Sequence, residues 1–248
     1  MMAPSPLTLL FTGLPASADK FLLGISTVAL VRTGGRTILF DTGPYAYRPI
    51  LQGRLRHMGI DFAQIDTVVL SHVHWDHAAN ADLFPSAEII IHAHELAYAE
   101  AVDAHDANTP AYVGRALRKL RLRPISGEQD IAPGVRIIEL PGHSPGSIGL
   151  LIGNELLAGD AVTCAGDAVA GCVQYQPGYD NRAEASLKKA LALAEIIYPG
   201  HDRPFRVGPR IEYTTDYAMR LRLFTDPAGP DEEIQIGSFA AKSFASWP

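Results

Sequence analysis

Short apolar runs alternate with polar turns along most of the chain, and the runs fall into two periods. Residues 7–12, 21–32, 36–40, 65–70, 88–92, 134–140, 146–152, 155–159 and 196–198 read as strands, being short, rich in Val, Ile and Leu, and bounded by Gly, Pro or Asp. Gly34-Gly35 between two of them reads as a hairpin turn. Residues 48–58 show helical spacing, with Ile50, Leu51, Leu55 and Met58 on one side and Gly59 as the stop. A short helix is expected after residue 77, mostly helical chain over 93–123, and further helices over 182–195 and 209–223. Strand-rich stretches thus alternate with helices, twice over. The whole chain, 1–248, reads as one domain, with a partly apolar tail over 227–248 that packs on the domain or on a neighbouring subunit.

The polar residues with chemical capacity sit where strands end. Asp41 follows Ile38-Leu39-Phe40, and Ser71-His72-Val73-His74-Trp75-Asp76-His77 follows Thr67-Val68-Val69-Leu70. His143 lies in Pro141-Gly142-His143-Ser144-Pro145-Gly146. Asp160 ends Ala158-Gly159-Asp160, and His201 ends Pro199-Gly200-His201-Asp202. Imidazole is the commonest neutral metal ligand near pH 7, and carboxylate is its natural companion around a divalent ion. His72, His74, Asp76, His77, His143, Asp160 and His201 are more donors than one tetrahedral ion needs and suit two ions that flank one water. Asp41 and Ser71 are better placed to orient a ligand through its second ring nitrogen. His92, His94 and His105 lack such partners and are expected at the surface or behind the ligands. Trp75 is expected to pack beneath the site.

Composition narrows the function. A formal net charge of -6 disfavours a general nucleic-acid binder. The basic run Arg115, Arg118, Lys119, Arg121, Arg123 reads as a solvated helix face. Two cysteines, Cys164 and Cys172, do not make a disulfide framework, and a reduced, cytoplasmic setting fits. The apolar run Phe21 to Val31 is too short to span a bilayer and reads as a buried strand rather than a signal segment.

With these pieces in order, the chain resembles the metallo-β-lactamase-fold superfamily of metallohydrolases over about residues 20–210. The match rests on H-x-H-x-D-H at His72–His77, on His143, on Gly159-Asp160, on Pro199-Gly200-His201 and on the early Leu39-Phe40-Asp41-Thr42-Gly43. The resemblance implies an α/β (α+β) fold, a four-layer αββα sandwich of two mixed sheets packed face to face with helices outside. It implies His72, His74 and His143 around a first metal, Asp76, His77 and His201 around a second, and Asp160 bridging. Zinc is the default, with manganese or iron fitting the same shell. The implied chemistry is attack of a metal-bridging hydroxide on an acyl carbonyl, with Asp76 also relaying a proton.

The same resemblance sorts the substrates. The best-known β-lactamases of the superfamily have cysteine where this chain has Asp160. Glyoxalase II-like thioesterases add a helical domain for which there is no comparable extension here. Quorum-quenching lactonases often have tyrosine where Thr163 stands, and Tyr175 and Tyr179 are candidate substitutes. Redox relatives replace a first-motif histidine by glutamate, whereas His72 and His74 are both intact. The run Pro199–Phe205 is similar to a small branch for which RNA hydrolysis has been proposed. The expectation is a hydrolase of a small-molecule lactone or cyclic amide, with a thioester or phosphodiester as alternative, a possible homodimer, and no nucleic-acid or membrane partner. Loops 42–48, 104–115 and 161–181 are expected to set the substrate.

Overall fold

The computed structural model describes residues 5–16, 23–104, 106–173, 181–216, 219–223 and 232–236. Strands β1 (Leu7–Phe11), β2 (Val28–Thr33), β3 (Arg36–Phe40), β4 (Thr67–Val69), β5 (Glu88–His92) and β6 (Arg121–Ile125) form a six-stranded sheet in that order. The first three run antiparallel and the last four parallel, so the sheet is mixed. The second sheet runs β13 (Glu212–Tyr213), β12 (Phe205–Arg206), β11 (Ile196–Pro199), β10 (Glu155–Gly159), β9 (Ile148–Ile152), β8 (Val135–Glu139), β7 (Gln129–Ala132). Only β10 and β11 are parallel neighbours in it.

Alternation along the strands builds three apolar layers. Ile38, Phe40, Val69 and Ile90 face Val135, Ile137, Ile148, Leu150 and Leu157 between the sheets. Their neighbours Leu39, Val68, Ile89 and Ile91 point the other way, into a layer shared with Leu51, Leu55, Leu96, Val113 and Leu117. Those residues come from helices α1 (Arg48–His57), α3 (Ala93–Glu100) and α4 (Val113–Leu117), joined by Ala78 of the short α2 (Trp75–Ala78). On the far face, Ile138, Leu156, Ala158 and Ile197 pack on Leu187 and Ala190 of α6 (Ala183–Leu193) and on Ala165 of α5 (Ala165–Ala170). This is the expected αββα sandwich.

Local chemistry sets the boundaries. Gly34 and Gly35 have φ of 55° and 76° and join β2 to β3 with Thr33 paired to Arg36, the two-residue turn that matches strand twist. Pro49 opens α1, and Leu51 and Leu55, one turn apart, are its buried face. Ile50, expected on that face, is 51% exposed, because the stripe runs from Leu51 through Leu55 to the half-buried Met58.

Several expected elements are corrected. The strand expected from residue 21 begins at Val28; residues 23–27 leave the sheet and spend their polar groups elsewhere, as described below. Residues 121–125 are strand, so Arg121 and Arg123 do not share a helix face with Arg115; Arg123 instead bonds Glu88 at 3.1 Å and Gln129 at 3.0 Å. The helix expected over 209–223 is replaced by β13 and by β14 (Met219–Leu223), which pairs with β15 (Glu232–Ile236) in a separate hairpin. Helix α5 and strands β7 and β12 were not anticipated. His105, Tyr175, Tyr179 and most of the 227–248 tail lie outside the described residues. Among the described residues, no helix is long and apolar enough to cross a membrane.

Candidate metal centre

Asp41, Ser71–His77, His143, Asp160 and His201 all follow carboxyl ends of strands: β3, β4, β8, β10 and β11 respectively. The parallel and antiparallel pairings bring those ends to one rim of the sandwich, where loops are free to converge while their strands stay buried. The rim is stitched across the sheets by the Ile148 amide, which donates to the Ser71 carbonyl at 3.0 Å.

The seven predicted ligands meet there. His72, His74 and His143 present ligand atoms to one another, as do His72, His77 and Asp160, and Asp76, His77 and His201. His74 Nδ1 lies 3.1 Å from His143 Nε2. Asp160 sits between the groups. Its Oδ1 is 3.2 Å from His77 Nε2, and its Oδ2 is 3.4 Å from His143 Nε2 and 3.3 Å from His201 Nε2. Asp76 Oδ2 is 3.3 Å from His201 Nε2. Six of the seven are buried, and His201 is half-buried.

Hydrogen bonds behind the cluster set ring orientation. His77 Nδ1 donates to Asp41 Oδ2 at 2.8 Å, which turns Nε2 toward Asp160 and His201. Asp41 is itself held by the Ser71 amide (2.7 Å) and hydroxyl (2.8 Å). It is the one non-glycine residue at positive φ (55°) among those described, a conformation that aspartate tolerates better than most residues. His201 Nδ1 donates to the Ile25 carbonyl at 3.1 Å. Ser26 Oγ donates to the Asp76 carbonyl, Thr27 Oγ1 to the Pro199 carbonyl at 2.6 Å, and the Thr27 amide to the Gly200 carbonyl at 2.7 Å. The segment that left β2 is therefore the brace of the Asp76 and His201 loops. Gly200 has no side chain because none fits: a Cβ there would lie 1.8 Å from Asp160 Oδ1.

Titration behaviour divides the histidines. Burial pushes His74 down to about 4 and His143 down to about 3, and holds His72 well below the usual imidazole range. Burial also disfavours charge on His77 and His201, but the carboxylates around them win: Asp160, Asp76 and Asp41 raise His77 well above its ordinary value, and Asp160 and Asp76 raise His201. Asp160 is held well below the carboxylate range, burial notwithstanding, chiefly by His201 and His77. Burial raises Asp41 against the pull of His77 and Ser71. Three rings are thus kept neutral with lone pairs available, beside carboxylates whose field favours positive charge.

These donors suit metal. His72 Nε2 and Asp160 Oδ1 are buried without a hydrogen-bond partner, and such orphans are rare unless an ion or water satisfies them. Nitrogen and carboxylate donors in this ratio match borderline divalent ions, and no soft thiolate enters the cluster.

Other expectations resolve variously. Trp75 is half-buried and its ring packs on Gly24. His92 is buried and bonds Glu139 at 2.9 Å, joining the two sheets, and His94 is exposed. Sequence reasoning missed four buried carboxylates, of which Asp167 accepts the Thr163 and Cys164 amides on the loop after Asp160. Glu95 bonds Val73, Ser144 and Gly146. The Asp106 side chain is buried with Oδ2 4.0 Å from His74 Nε2. Asp202 bonds the Ala165 amide and the Tyr213 hydroxyl, tying the loop after β11 to α5. The only signal for Glu95 was a charged residue beside apolar Leu96 early in a helix.

Fold and cluster agree with comparison to known proteins. The metallo-beta-lactamase superfamily model matches residues 22–201, and the chain belongs to that family. It is 32% identical over 191 residues to Metallo-beta-lactamase domain-containing protein 1 of Xenopus laevis, covering 73% of this chain and 72% of the frog protein. It is 28% identical over 215 residues to the N-acyl homoserine lactonase AiiB of Agrobacterium fabrum (strain C58), covering 70% and 78%. A solved quorum-quenching N-acyl homoserine lactone hydrolase superposes with a TM-score of 0.65 at 25% identity, over 81% of this chain and 93% of that one. The chain is a metal-dependent hydrolase of this superfamily.

Proposed function

We propose that the chain hydrolyses an acyl bond of a small molecule, a lactone or cyclic amide, at a dinuclear centre. The observation that carries this reading is the position of Asp160, one carboxylate within 3.4 Å of ring nitrogens from both histidine groups. His72, His74 and His143 would hold one ion, Asp76, His77 and His201 the other, with Asp160 shared. Zinc is proposed, and manganese or iron fit the same donors. Two such ions supply an activated water and polarise a substrate carbonyl.

The protein's part is placement and proton handling. His72 and His77 are fully buried, whereas the Asp76 and His201 side chains are 11% and 15% exposed. Substrate would therefore approach on the Asp76–His201 side, where the Asp76 carboxylate would take a proton from the attacking water and pass it to the leaving oxygen or nitrogen. The lactone class is supported by the lactonase relative and the lactone hydrolase structure. Aspartate rather than cysteine at 160 argues against a β-lactam.

A phosphodiester is the second reading, supported by the likeness of the Pro199–Phe205 run to a small branch of the superfamily for which RNA hydrolysis has been proposed. Against it, Arg203 lies over the Tyr213 ring at 3.6 Å and is buried, so its charge is spent on packing. The test is a panel of lactones, cyclic amides, thioesters and short RNA, assayed with zinc-, manganese- and iron-loaded protein. Turnover of a lactone or cyclic amide well above the RNA arm supports the reading. RNA cleavage alone overturns it.

A further inference from the structure

Two separate sets of hydrogen bonds hold the two halves of the cluster. Ile25, Ser26 and Thr27 brace Asp76, Pro199, Gly200 and His201. On the opposite side stands Glu95, in the first turn of α3 and fully buried. Its Oε1 accepts the Val73 amide at 3.0 Å, the peptide between His72 and His74. Its Oε2 accepts the Ser144 hydroxyl at 2.7 Å and the Gly146 amide at 2.9 Å, on the loop that carries His143. The fit is close: a Cβ on Gly146 would lie 2.4 Å from the Glu95 amide nitrogen. A neutral amide cannot reproduce this, because in either orientation its NH2 would face a backbone N–H, that of Val73 or that of Gly146, donor against donor. A buried carboxylate that receives three bonds from two loops fixes the distance between those loops.

We propose that Glu95 is the positioning residue of the His72–His74–His143 group and of that group alone. The proposal rests on the dinuclear reading above. Glu95 touches no ligand atom and acts through the backbone on either side of the three rings.

The test reads metal affinity rather than turnover. Two parent variants isolate the groups: His201→Ala leaves His72–His74–His143 complete, and His143→Ala leaves Asp76–His77–His201. Cobalt(II) is titrated into each parent, with and without Glu95→Gln, and followed by its visible absorption. In the His201→Ala parent, Glu95→Gln is expected to weaken cobalt binding about 10- to 100-fold, the usual cost of losing a group that orients ligands. In the His143→Ala parent the change is expected to stay within about threefold. Equal losses in both parents, or no loss in the first, overturn the proposal. Should Glu95→Gln fail to fold, Ser144→Ala removes one of the three bonds and carries the same test. A smaller loss confined to the His201→Ala parent supports the proposal, and an equal loss in both overturns it. Failure of both parents to bind cobalt overturns the metal reading and this proposal together. The expected cobalt pattern, alongside a loaded wild-type chain inert to every acyl substrate, overturns the acyl-bond reading and leaves Glu95 in its role.

Discussion

Asp41 Oδ2 and His77 Nδ1 stand 2.8 Å apart, and this contact decides which ring nitrogen of His77 is left for a metal. Asparagine at 41 tolerates the same left-handed backbone but turns an NH2 or a weaker carbonyl toward the ring. If the NH2 faces Nδ1, the imidazole moves its proton to Nε2 and loses the lone pair a metal needs. Asp41→Asn is expected to keep the fold and to weaken zinc binding about 10- to 100-fold, measured by competition with a chromophoric chelator. Unchanged affinity would show that the ring is oriented by other contacts.

Gly200→Ala tests the close approach at the shared carboxylate. The added methyl group would fall on Asp160 Oδ1, so either the carboxylate or the loop after β11 must move. Activity is expected to fall at least about 100-fold, since misplacement near 1 Å has that cost. Metal content measured by elemental analysis should fall with it. A variant with native activity would place Asp160 away from the reacting centre.

The metal-free protein should report its neutral histidines through pH. His74 and His143 are held at about 4 and about 3 when folded, below the ordinary 6.5, so the unfolded chain binds their protons first. The stability they contribute is present above pH 6.5 and is lost as pH falls toward their folded values. His77 and His201, raised in the fold, pull the opposite way, so one histidine is best isolated. Relative to His143→Asn, chelated wild-type protein is expected to lose stability below pH 6.5, by at most about 1.4 kcal/mol per pH unit. Denaturant unfolding from pH 7 to 4 measures it, and a flat difference contradicts the assignment.

Metal addition should stabilise the fold, because the ligands come from four loops that only the native state assembles. At a free concentration 100 times Kd, one ion contributes about 2.7 kcal/mol. Thermal unfolding of chelated protein with added zinc should show a midpoint rising with zinc concentration. His77→Ala should blunt the rise. A midpoint indifferent to zinc would argue against a metal centre.

Much of the architecture was legible because it rests on short-range pattern. Alternation in Ile38-Leu39-Phe40 and in Ile89-Ile90-Ile91 decides which side chains lie between the sheets and which lie under helices. All seven candidate ligands converge because each follows a strand end. What was illegible depends on contacts distant in sequence. Residues 23–27 are apolar enough for a strand, but Ser26 and Thr27 find partners about 50 and 172 positions away, and those bonds replace the ladder. Glu95 carries no pattern of its own in the sequence, and its role depends on α3 packing against the His143 loop. The expected helix over 209–223 failed because Tyr213 reaches back to Asp202 and Met219–Leu223 pairs with Glu232–Ile236.

The central claim is that one carboxylate, Asp160, joins two ions into a single hydrolytic centre. It is tested most directly by measuring metal content and lactone turnover on the same preparations of wild type and Asp160→Ala. The account predicts two ions per wild-type chain with measurable ring opening, and loss of both bound metal and turnover in the variant. An Asp160→Ala protein that retains two ions per chain and full turnover would contradict it.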